Sequence, residues 1–405
     1  MFDRASESQI PPQLPSLKLA PVETWFGQQT LIAYPATAIL NSRQNKYPAG
    51  NEPWIRQTIQ AAAHACRNEY AVIAGIGLKT WELSLWAASE ALGNVVALVG
   101  VPPGASTSEI LGRLVDVRND FRLVKQNALL IPYFESDSRS PKSDWLARDS
   151  WILHHARLLL PVSIREDGFF SAQLKRERFK QQLDSSFSID YSPGETKFHA
   201  PPDSETVLRS LKNQGITSWD WLTHWTRISE GPWPGETSAD YYETLSRGQN
   251  SCPRSALDTL RHILAENRVR GSSWRMPGST GMVSFTALPP WDIVQKMTWR
   301  KRFVRPLFEP YGIAIRKSTL EAMGTRAVQY GPPEHGKTLP AQDRLYFQTS
   351  SESSPWPLEK EWRLKGDLDL GSIPGKDLLI LVRDESSRKQ VQQEFPYHIV
   401  ALEKS

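Results

Sequence analysis

The sequence has few cysteines, no long apolar run and no strong excess of either charge. Its two cysteines, Cys66 and Cys252, lie far apart, which excludes a disulfide framework or a cysteine-based metal site and favours a reducing compartment. No apolar run approaches the roughly 20 residues of a membrane helix, and the first residues include an acidic group and no apolar segment. We therefore expect a cytoplasmic protein with no signal peptide and no membrane partner.

The composition is that of a globular chain with more than one domain. At 405 residues the chain is longer than one ordinary core supports, and a hydrophobic fraction of 40% is enough to build two. Fifteen tryptophans indicate aromatic surfaces, and thirty prolines indicate many turns and loops between short helices and strands. Both features suit a binding protein or an enzyme. The formal net charge of +4 is compatible with any class of partner.

After an N-terminal arm (1–23), residues 24–174 alternate short apolar runs with helical segments. This alternation is typical of a parallel sheet covered on both faces. Ligands of such sheets bind beyond the carboxyl ends of the strands. The predicted strands are 31–40, 70–75, 95–101, 128–134 and 158–162, and the predicted helices start near 52 and 106 or span 80–92 and 145–155.

The amino-acid composition changes after residue 174. Residues 175–214 combine a charge run with a Pro- and Ser-rich stretch, which is the composition of a linker. Residues 215–405 have longer loops and isolated short strands, which predicts an α+β domain. Its predicted elements are a helix at 256–267 and strands at 282–286, 312–315, 327–330, 378–382 and 398–402.

Several residues of the first domain are suited to binding a phosphate. Gly75 and Gly77 follow a predicted strand and precede a helix, whose N-terminal N–H groups and dipole favour an anion. Arg43 and Arg148 could add bidentate contacts to phosphate oxygens. Each of these residues is also typical of an ordinary strand-to-helix turn or of a paired arginine, so both interpretations stay open.

The order of these motifs resembles the DNA-processing protein A (DprA) family over roughly residues 30–170. The resemblance implies an α/β Rossmann-like parallel sheet domain that binds a nucleotide or single-stranded nucleic acid at Arg43, Gly75, Gly77 and Arg148. Lys79–Glu82 departs from the family, which has an acidic residue and a helix histidine there. The matching segments are Ser42–Arg43, Ala74–Gly77, Arg148–Ile152 and Leu160–Ser163.

Polar residues of the second domain recur at strand spacing. His224 and Thr226 share one face of a predicted strand, and Ser284 and Thr286 do the same on another. Glu361 can act as a base or as the electrostatic partner of a developing cation. A structural histidine, an ordinary amphipathic strand and a solvated Glu-Lys-Glu face are the alternatives.

This series resembles the ADP-ribosyltransferase fold, in particular its DarT-like and AbiGi-type branch, over roughly residues 220–370. The resemblance implies that His224 and Thr226 hold the nicotinamide-side ribose of NAD, that Ser284 supports the site, and that Glu361 orients the ribose 2′-OH and the acceptor. It also implies a role in antiphage defence. Glu359 before Glu361 is similar to the Glu-x-Glu of arginine-specific transferases, which open with arginine rather than histidine, so the acceptor stays open. The matching motifs are H-x-T at 224–226, T-L-x-x-I-L at 259–264, V-S-F-T at 283–286, Y-G-I at 311–313, V-Q-Y at 328–330 and 356–363.

Two other functions remain open. The chain could be a non-catalytic nucleic-acid-binding protein, with the basic and aromatic segment 295–317 tracking phosphates and stacking on bases, unless those aromatics are core residues. It could also be a degenerate enzyme fold that binds a partner as an antitoxin. His154 and His155 have no neighbouring carboxylates, so they are interpreted as structural and no metal site is predicted.

Overall fold

The computed structural model describes residues 16–136, 142–194, 198–248, 252–273, 280–300, 304–350 and 359–404. They belong to two compact units, one of Met1–Glu195 with Thr237–Cys252 and one of Thr196–Glu236 with Pro253–Ser405. The strands are β1 (Phe26–Gly27), β2 (Ala36–Asn41), β3 (Ala71–Gly75), β4 (Val95–Val101), β5 (Ala128–Phe134), β6 (Leu158–Ser163), β7 (Trp221–Trp225), β8 (Arg268–Val269), β9 (Met282–Thr286), β10 (Trp299–Arg300), β11 (Arg305–Pro306), β12 (Gly312–Arg316), β13 (Arg326–Ala327), β14 (Gln329–Gly331), β15 (Phe347–Thr349), β16 (Glu361–Lys365), β17 (Leu368–Asp369), β18 (Leu378–Val382) and β19 (Ile399–Ala401). The helices are α1 (Pro53–Arg67), α2 (Lys79–Glu90), α3 (Thr107–Asp120), α4 (Lys142–His155), α5 (Phe169–Leu174), α6 (Glu177–Lys180), α7 (Ser204–Asn213), α8 (Ser238–Ser246), α9 (Ala256–Glu266), α10 (Pro290–Ile293), α11 (Lys317–Ala322), α12 (Pro333–Thr338), α13 (Ala341–Arg344) and α14 (Glu385–Glu394).

The first unit is built on a six-stranded sheet in the order β1-β5-β4-β3-β2-β6. Strands β2 to β6 run parallel to their neighbours, and the edge strand β1 is antiparallel to β5. The chain adds β3, β4 and β5 on one side of β2 and then returns to place β6 on the other side. Right-handed crossovers therefore put α1, α2 and α3 on one face and α4 on the opposite face. The predicted parallel α/β sheet is confirmed, and β2 lies at its topological switch point.

Local sequence explains where these elements begin. The residues of β2 and β3 are all buried, as expected for central parallel strands. The predicted strand at 31–40 is shorter than expected, because Pro35 has no N–H to donate; a 3₁₀ turn covers Gln29–Ala33 and the strand begins at Ala36. Pro53 occupies the first turn of α1, and Ser106 caps α3 in a capping box.

The first unit takes in segments that we predicted to lie outside it. Part of the predicted linker packs here, since Phe179 is buried in the core and Ile189 forms a bridge with Ser163 beside β6. Helix α8, which the sequence did not predict and whose residues fall in the predicted second domain, also belongs here because its Tyr241 and Tyr242 are buried in this core. The boundary at 174/215 is therefore replaced by a division near residue 195, with residues 237–252 returning to the first unit.

The second unit is built on a seven-stranded sheet in the order β13-β16-β9-β7-β12-β18-β19. Its neighbouring strands are antiparallel except β18 and β19. Helix α7, inside the predicted linker, packs Val207 and Leu211 against this unit. The predicted strand at 327–330 forms the separate strands β13 and β14. Apolar side chains alternate between two clusters, one with Leu222, Val283, Phe285, Ile313 and Ile380 and the other with Trp221, Trp225, Ala314, Leu379 and Val400.

The seven-stranded sheet splits between two of its central strands. In these two fully described strands, β7 and β9 pair at one position, Thr223 with Thr286, whereas β9 pairs with β16 along its whole length. Each residue beyond that position has a backbone N–H and C=O group, and those that face the split need hydrogen-bond partners other than the neighbouring strand.

Of the described helices, none is long and apolar enough to cross a membrane.

Candidate functional sites

The split between β7 and β9 brings together three of the predicted site residues. His224 Nδ1 lies 2.9 Å from the backbone carbonyl oxygen of Ser284, which faces the split. The Ser284 hydroxyl in turn donates to Glu361 Oε1 at 2.9 Å. The split therefore collects an imidazole, a hydroxyl and a carboxylate that come from three adjacent strands of the sheet.

Glu361 is held in place by a buried arginine. Arg363 Nε donates to Glu361 Oε1 at 2.9 Å, and its Nη2 donates to Oε2 at 3.2 Å. The guanidinium is fixed from behind, because Nη1 donates to the carbonyl oxygen of Leu345 at 2.9 Å and Nη2 to Gln348 Oε1 at 3.1 Å. The Arg363 side chain is 4% exposed and that of Glu361 is 20% exposed, so the carboxylate is rigid and still accessible. The motif at 356–363 includes Arg363, to which the sequence pattern assigned no role, although its position two residues after Glu361 places both side chains on the same face of a strand.

His224 is a neutral imidazole with one free acceptor. Burial lowers its pKa, with a further lowering by Arg227, and the hydrogen bond to the Ser284 carbonyl opposes this shift. A carbonyl oxygen only accepts, so Nδ1 carries the proton in the neutral ring. The lone pair on Nε2 is then available to accept from a ligand hydroxyl.

Two further ionisable side chains interact electrostatically with Glu361. Burial and the negative charge of Glu361 raise the pKa of Glu359 to about 7, against the opposing effect of Lys296 and Arg300. Burial and the same two carboxylates raise the pKa of Tyr330 to about 12, so this phenol stays protonated and can donate a hydrogen bond. Lys360, between the glutamates, has a φ of 47°, which turns the chain before β16 begins.

Thr226 has a different role from the one that the resemblance implies. Its hydroxyl is buried and donates to the carbonyl oxygen of Ala256 at 2.8 Å. The carbonyl oxygen of Tyr311 lies 3.1 Å from the same hydroxyl oxygen. These contacts fasten the end of β7 to the start of α9 and to the chain before β12. The geometry thus brings His224, Ser284 and Glu361 together and leaves Thr226 as a structural support.

In the first unit, Arg148 is an internal residue. Its side chain is 0% exposed, and its Nε and Nη2 donate to Asp149 Oδ1 at 3.1 and 2.9 Å. The third guanidinium nitrogen, Nη1, donates to the carbonyl oxygen of Ile76 at 2.8 Å, and Trp81 Nε1 also donates to Asp149 Oδ1 at 3.0 Å. Arg148 thus joins α4 to the loop after β3, and the geometry opposes its predicted contact with a ligand phosphate.

The two glycines of the same loop serve different purposes. A Cβ on Gly75 would overlap the Arg148 guanidinium, so this position accommodates the arginine rather than a ligand. Gly77 has a φ of 102° and open space beside its Cα. However, its N–H donates to Glu82 Oε1 at 2.8 Å, so a carboxylate of α2 already occupies the place where a phosphate would sit. The predicted phosphate cradle at Gly75 and Gly77 is therefore filled by the chain itself.

Arg43 is the predicted ligand residue that remains available. Its side chain is exposed at the carboxyl end of β2, and its backbone carbonyl accepts from the Tyr191 hydroxyl at 2.7 Å. Burial lowers the pKa of Lys79, at the start of α2, while the negative charge of Glu82 opposes this shift and the positive charge of Arg43 adds to it. Arg43 and Lys79 thus follow the adjacent strands β2 and β3, with the carboxylate of Glu82 beside Lys79.

The basic and aromatic segment 295–317 and the histidine pair at 154–155 were the other candidates from the sequence. In the segment 295–317, Trp299 packs against Phe198, while Phe303 lies outside the described residues, as does Trp356. His154 and His155 contact backbone carbonyls of their own helix, and His155 stacks on Trp151. Over the described ranges, no three His, Cys, Asp or Glu side chains are grouped as metal ligands would be.

Comparison with known proteins gives weak structural likenesses to DNA processing protein A. No family model and no curated protein matches the chain. The Helicobacter pylori protein, studied for its single-stranded DNA binding mode, has 17% identity and a TM-score of 0.29, covering 48% of this chain and 79% of that one. The Streptococcus pneumoniae protein has 16% identity and a TM-score of 0.25, covering 37% of this chain and 54% of that one. Likeness at this level transfers neither site residues nor activity, so function rests on the geometry of the two sites.

Proposed function

We propose that the second unit transfers ADP-ribose from NAD to an acceptor in the split between β7 and β9. The observation that supports it is the connected set His224, Ser284 and Glu361, drawn from three adjacent strands. A rigid carboxylate and a neutral imidazole acceptor match the hydroxyl groups of a ribose, which fits NAD as substrate. Nicotinamide release by the full chain tests the proposal directly.

The proposed chemistry divides the work among the residues of the split. Glu361 accepts a hydrogen bond from the ribose 2′-OH and stabilises the positive charge that develops at C1′. His224 accepts from another ribose hydroxyl through Nε2, and Ser284 and Arg363 keep the carboxylate in place. The bond from C1′ to the nicotinamide nitrogen breaks, and nicotinamide leaves with the bonding electrons. The acceptor atom then bonds to C1′ and passes its proton to Glu359, whose pKa near 7 suits a general base.

This role for Glu359 predicts the pH dependence of transfer. Glu359 accepts a proton only when ionised, so the transfer rate should rise with pH through about 7 and then level off. In Glu359→Gln the rate should fall about 10²-fold and lose this rise. The measurement is ADP-ribose transfer between pH 5.5 and 8.5, with nicotinamide release followed in parallel. An unchanged pH profile in the variant would remove Glu359 from the role of base.

For the first unit, we propose binding of a nucleotide or of single-stranded nucleic acid at the carboxyl ends of β2 and β3. The proposal is supported by the exposed side chain of Arg43 at the end of β2, beside the topological switch between β2 and β6, and by Lys79 after the adjacent strand β3. Arg148, Gly75 and Gly77 shape this end of the sheet from within. The proposal therefore assigns phosphate contact to Arg43 and Lys79 alone.

Replacing Arg43 with glutamine should weaken binding of a fluorescent single-stranded oligonucleotide and reduce its salt dependence. Loss of one phosphate contact lowers the slope of log affinity against log salt by about 0.7 for a single strand. Arg56→Gln, which removes an exposed arginine from α1, is the matched control and should keep the wild-type slope. Equal slopes in all three proteins would show that Arg43 contacts no phosphate.

A further inference from the structure

Two amide side chains at the end of β2 are buried with polar atoms that have no partner. Asn41 is 4% exposed and Gln44 is 8% exposed. Asn41 Oδ1, Gln44 Oε1 and Gln44 Nε2 each lack a hydrogen-bond partner within the described residues. Buried amides are nearly always hydrogen-bonded, because desolvating them without compensation costs free energy. Two of them, at the strand end where ligands of parallel sheets bind, indicate atoms that serve a ligand.

The orientation of the Asn41 amide is determined by its neighbours. The Thr58 hydroxyl donates to the carbonyl oxygen of Trp54 at 2.7 Å, which uses its single proton. Thr58 can therefore only accept from Asn41, so the amide nitrogen, 2.9 Å away, must face it. The unpartnered atom of Asn41 is then the oxygen, an acceptor. Gln44 adds a donor and an acceptor side by side.

The backbone around these amides is tied down by the neighbouring strand. The N–H of Ser42 donates to the carbonyl oxygen of Ser163 at 2.8 Å, and the Ser42 hydroxyl accepts from the N–H of Arg165 at 2.9 Å. Asn41 and Gln44 thus flank a loop that is fixed between β2 and β6, with the Arg43 side chain exposed between them. Rigid placement is what a recognition element requires, since it limits the loss of side-chain entropy on binding.

We propose that Asn41 and Gln44 recognise the nucleoside part of a nucleotide whose phosphate contacts Arg43 and Lys79. The Gln44 amide matches a nucleobase edge, which presents a donor next to an acceptor. The Asn41 oxygen accepts from a ribose hydroxyl or an exocyclic amino group. This inference rests on the nucleotide-binding function proposed for the first unit and assigns its specificity to two residues. The same chemistry is offered by a free nucleotide and by one unit of a single strand.

Gln44→Met tests the inference, because methionine keeps the length of the side chain and removes its polar atoms. We expect at least a tenfold loss of affinity for a fluorescein-labelled oligo(dA), with a melting temperature that is unchanged or higher because an unpaired buried amide is lost. Gln60→Met, on the exposed face of α1, is the matched control and should change neither quantity. Competition with AMP and ATP distinguishes the two sources: displacement assigns the site to a free nucleotide, and its absence assigns it to the strand.

The outcomes separate failure of this inference from failure of the proposed function. If wild type binds and Arg43→Gln weakens binding while Gln44→Met does not, nucleotide binding stands and recognition by Gln44 is overturned. A lower melting temperature in Gln44→Met with unchanged affinity would assign the amide to an ordered water within the fold. If neither the oligonucleotide nor the free nucleotides bind to wild type, both the function and the inference are overturned.

Discussion

Glu361→Gln is expected to lower nicotinamide release from NAD by about 10²–10³-fold, the usual effect of removing one preorganised electrostatic group from a transition state. Glutamine keeps the shape of the side chain and an oxygen that can accept from Ser284, so the change removes mainly the negative charge. In the proposed reaction, the cation that develops at the ribose C1′ then loses the stabilisation by the Glu361 carboxylate. The measurement is single-turnover release of nicotinamide at saturating NAD.

The same substitution also removes the charge partner of Arg363, whose side chain is 4% exposed, so stability must be measured alongside activity. Glu321→Gln, at an exposed position on α11, is the matched control and should keep wild-type turnover. Ser284→Ala leaves the Glu361–Arg363 pair intact and should slow release about tenfold, through loss of one positioning hydrogen bond. Wild-type turnover in a folded Glu361→Gln protein would exclude Glu361 from the reaction, and with it the transferase proposal.

The predictable parts of this protein are those that depend on local pattern. Continuous apolar runs located β3, β4 and β5, and Ser284 was correctly placed on a strand. The strand that carries Glu361 was not predicted, and its pairing with β9 brings Glu361 into contact with Ser284. The sequence does not show which strands pair with each other, so the split between β7 and β9 and the turn at Lys360 could not be predicted from it. Both features depend on contacts between residues far apart in sequence.

Long-range contacts also account for the errors. Helix α8 lies more than 100 residues beyond β5 in the chain, yet its tyrosines complete the first core, and composition carries no signal of such a return. Gly75 and Gly77 have the spacing of a phosphate-binding turn, but Glu82 and Arg148 fill it. A glycine motif indicates which backbone conformation a loop can adopt. Whether the loop has room for a ligand depends on side chains that pack against it from other parts of the chain.

Arg148→Met should destabilise the first unit by about 3–5 kcal/mol at neutral pH, because it leaves Asp149 as a buried carboxylate without its cation. Trp81 would remain as its hydrogen-bond donor, which does not replace a charge. The measurement is urea unfolding monitored by tryptophan fluorescence. Replacing both members, Arg148→Met with Asp149→Leu, is the matched control and should recover most of the loss, since a buried ion pair and an apolar pair of similar volume are often equivalent.

The pH dependence of the single variant gives an independent check. Burial already raises the pKa of Asp149 in the presence of Arg148, and removal of the arginine raises it further. A carboxyl whose pKa is higher in the folded state binds more protons there than in the unfolded chain, so stability falls as pH rises above about 4. Arg148→Met should therefore approach wild-type stability near pH 4 and lose it progressively towards pH 7. A variant that is as stable as wild type at pH 7 but binds oligonucleotide more weakly would instead return Arg148 to the ligand, and the loop after β3 would then have to open on binding.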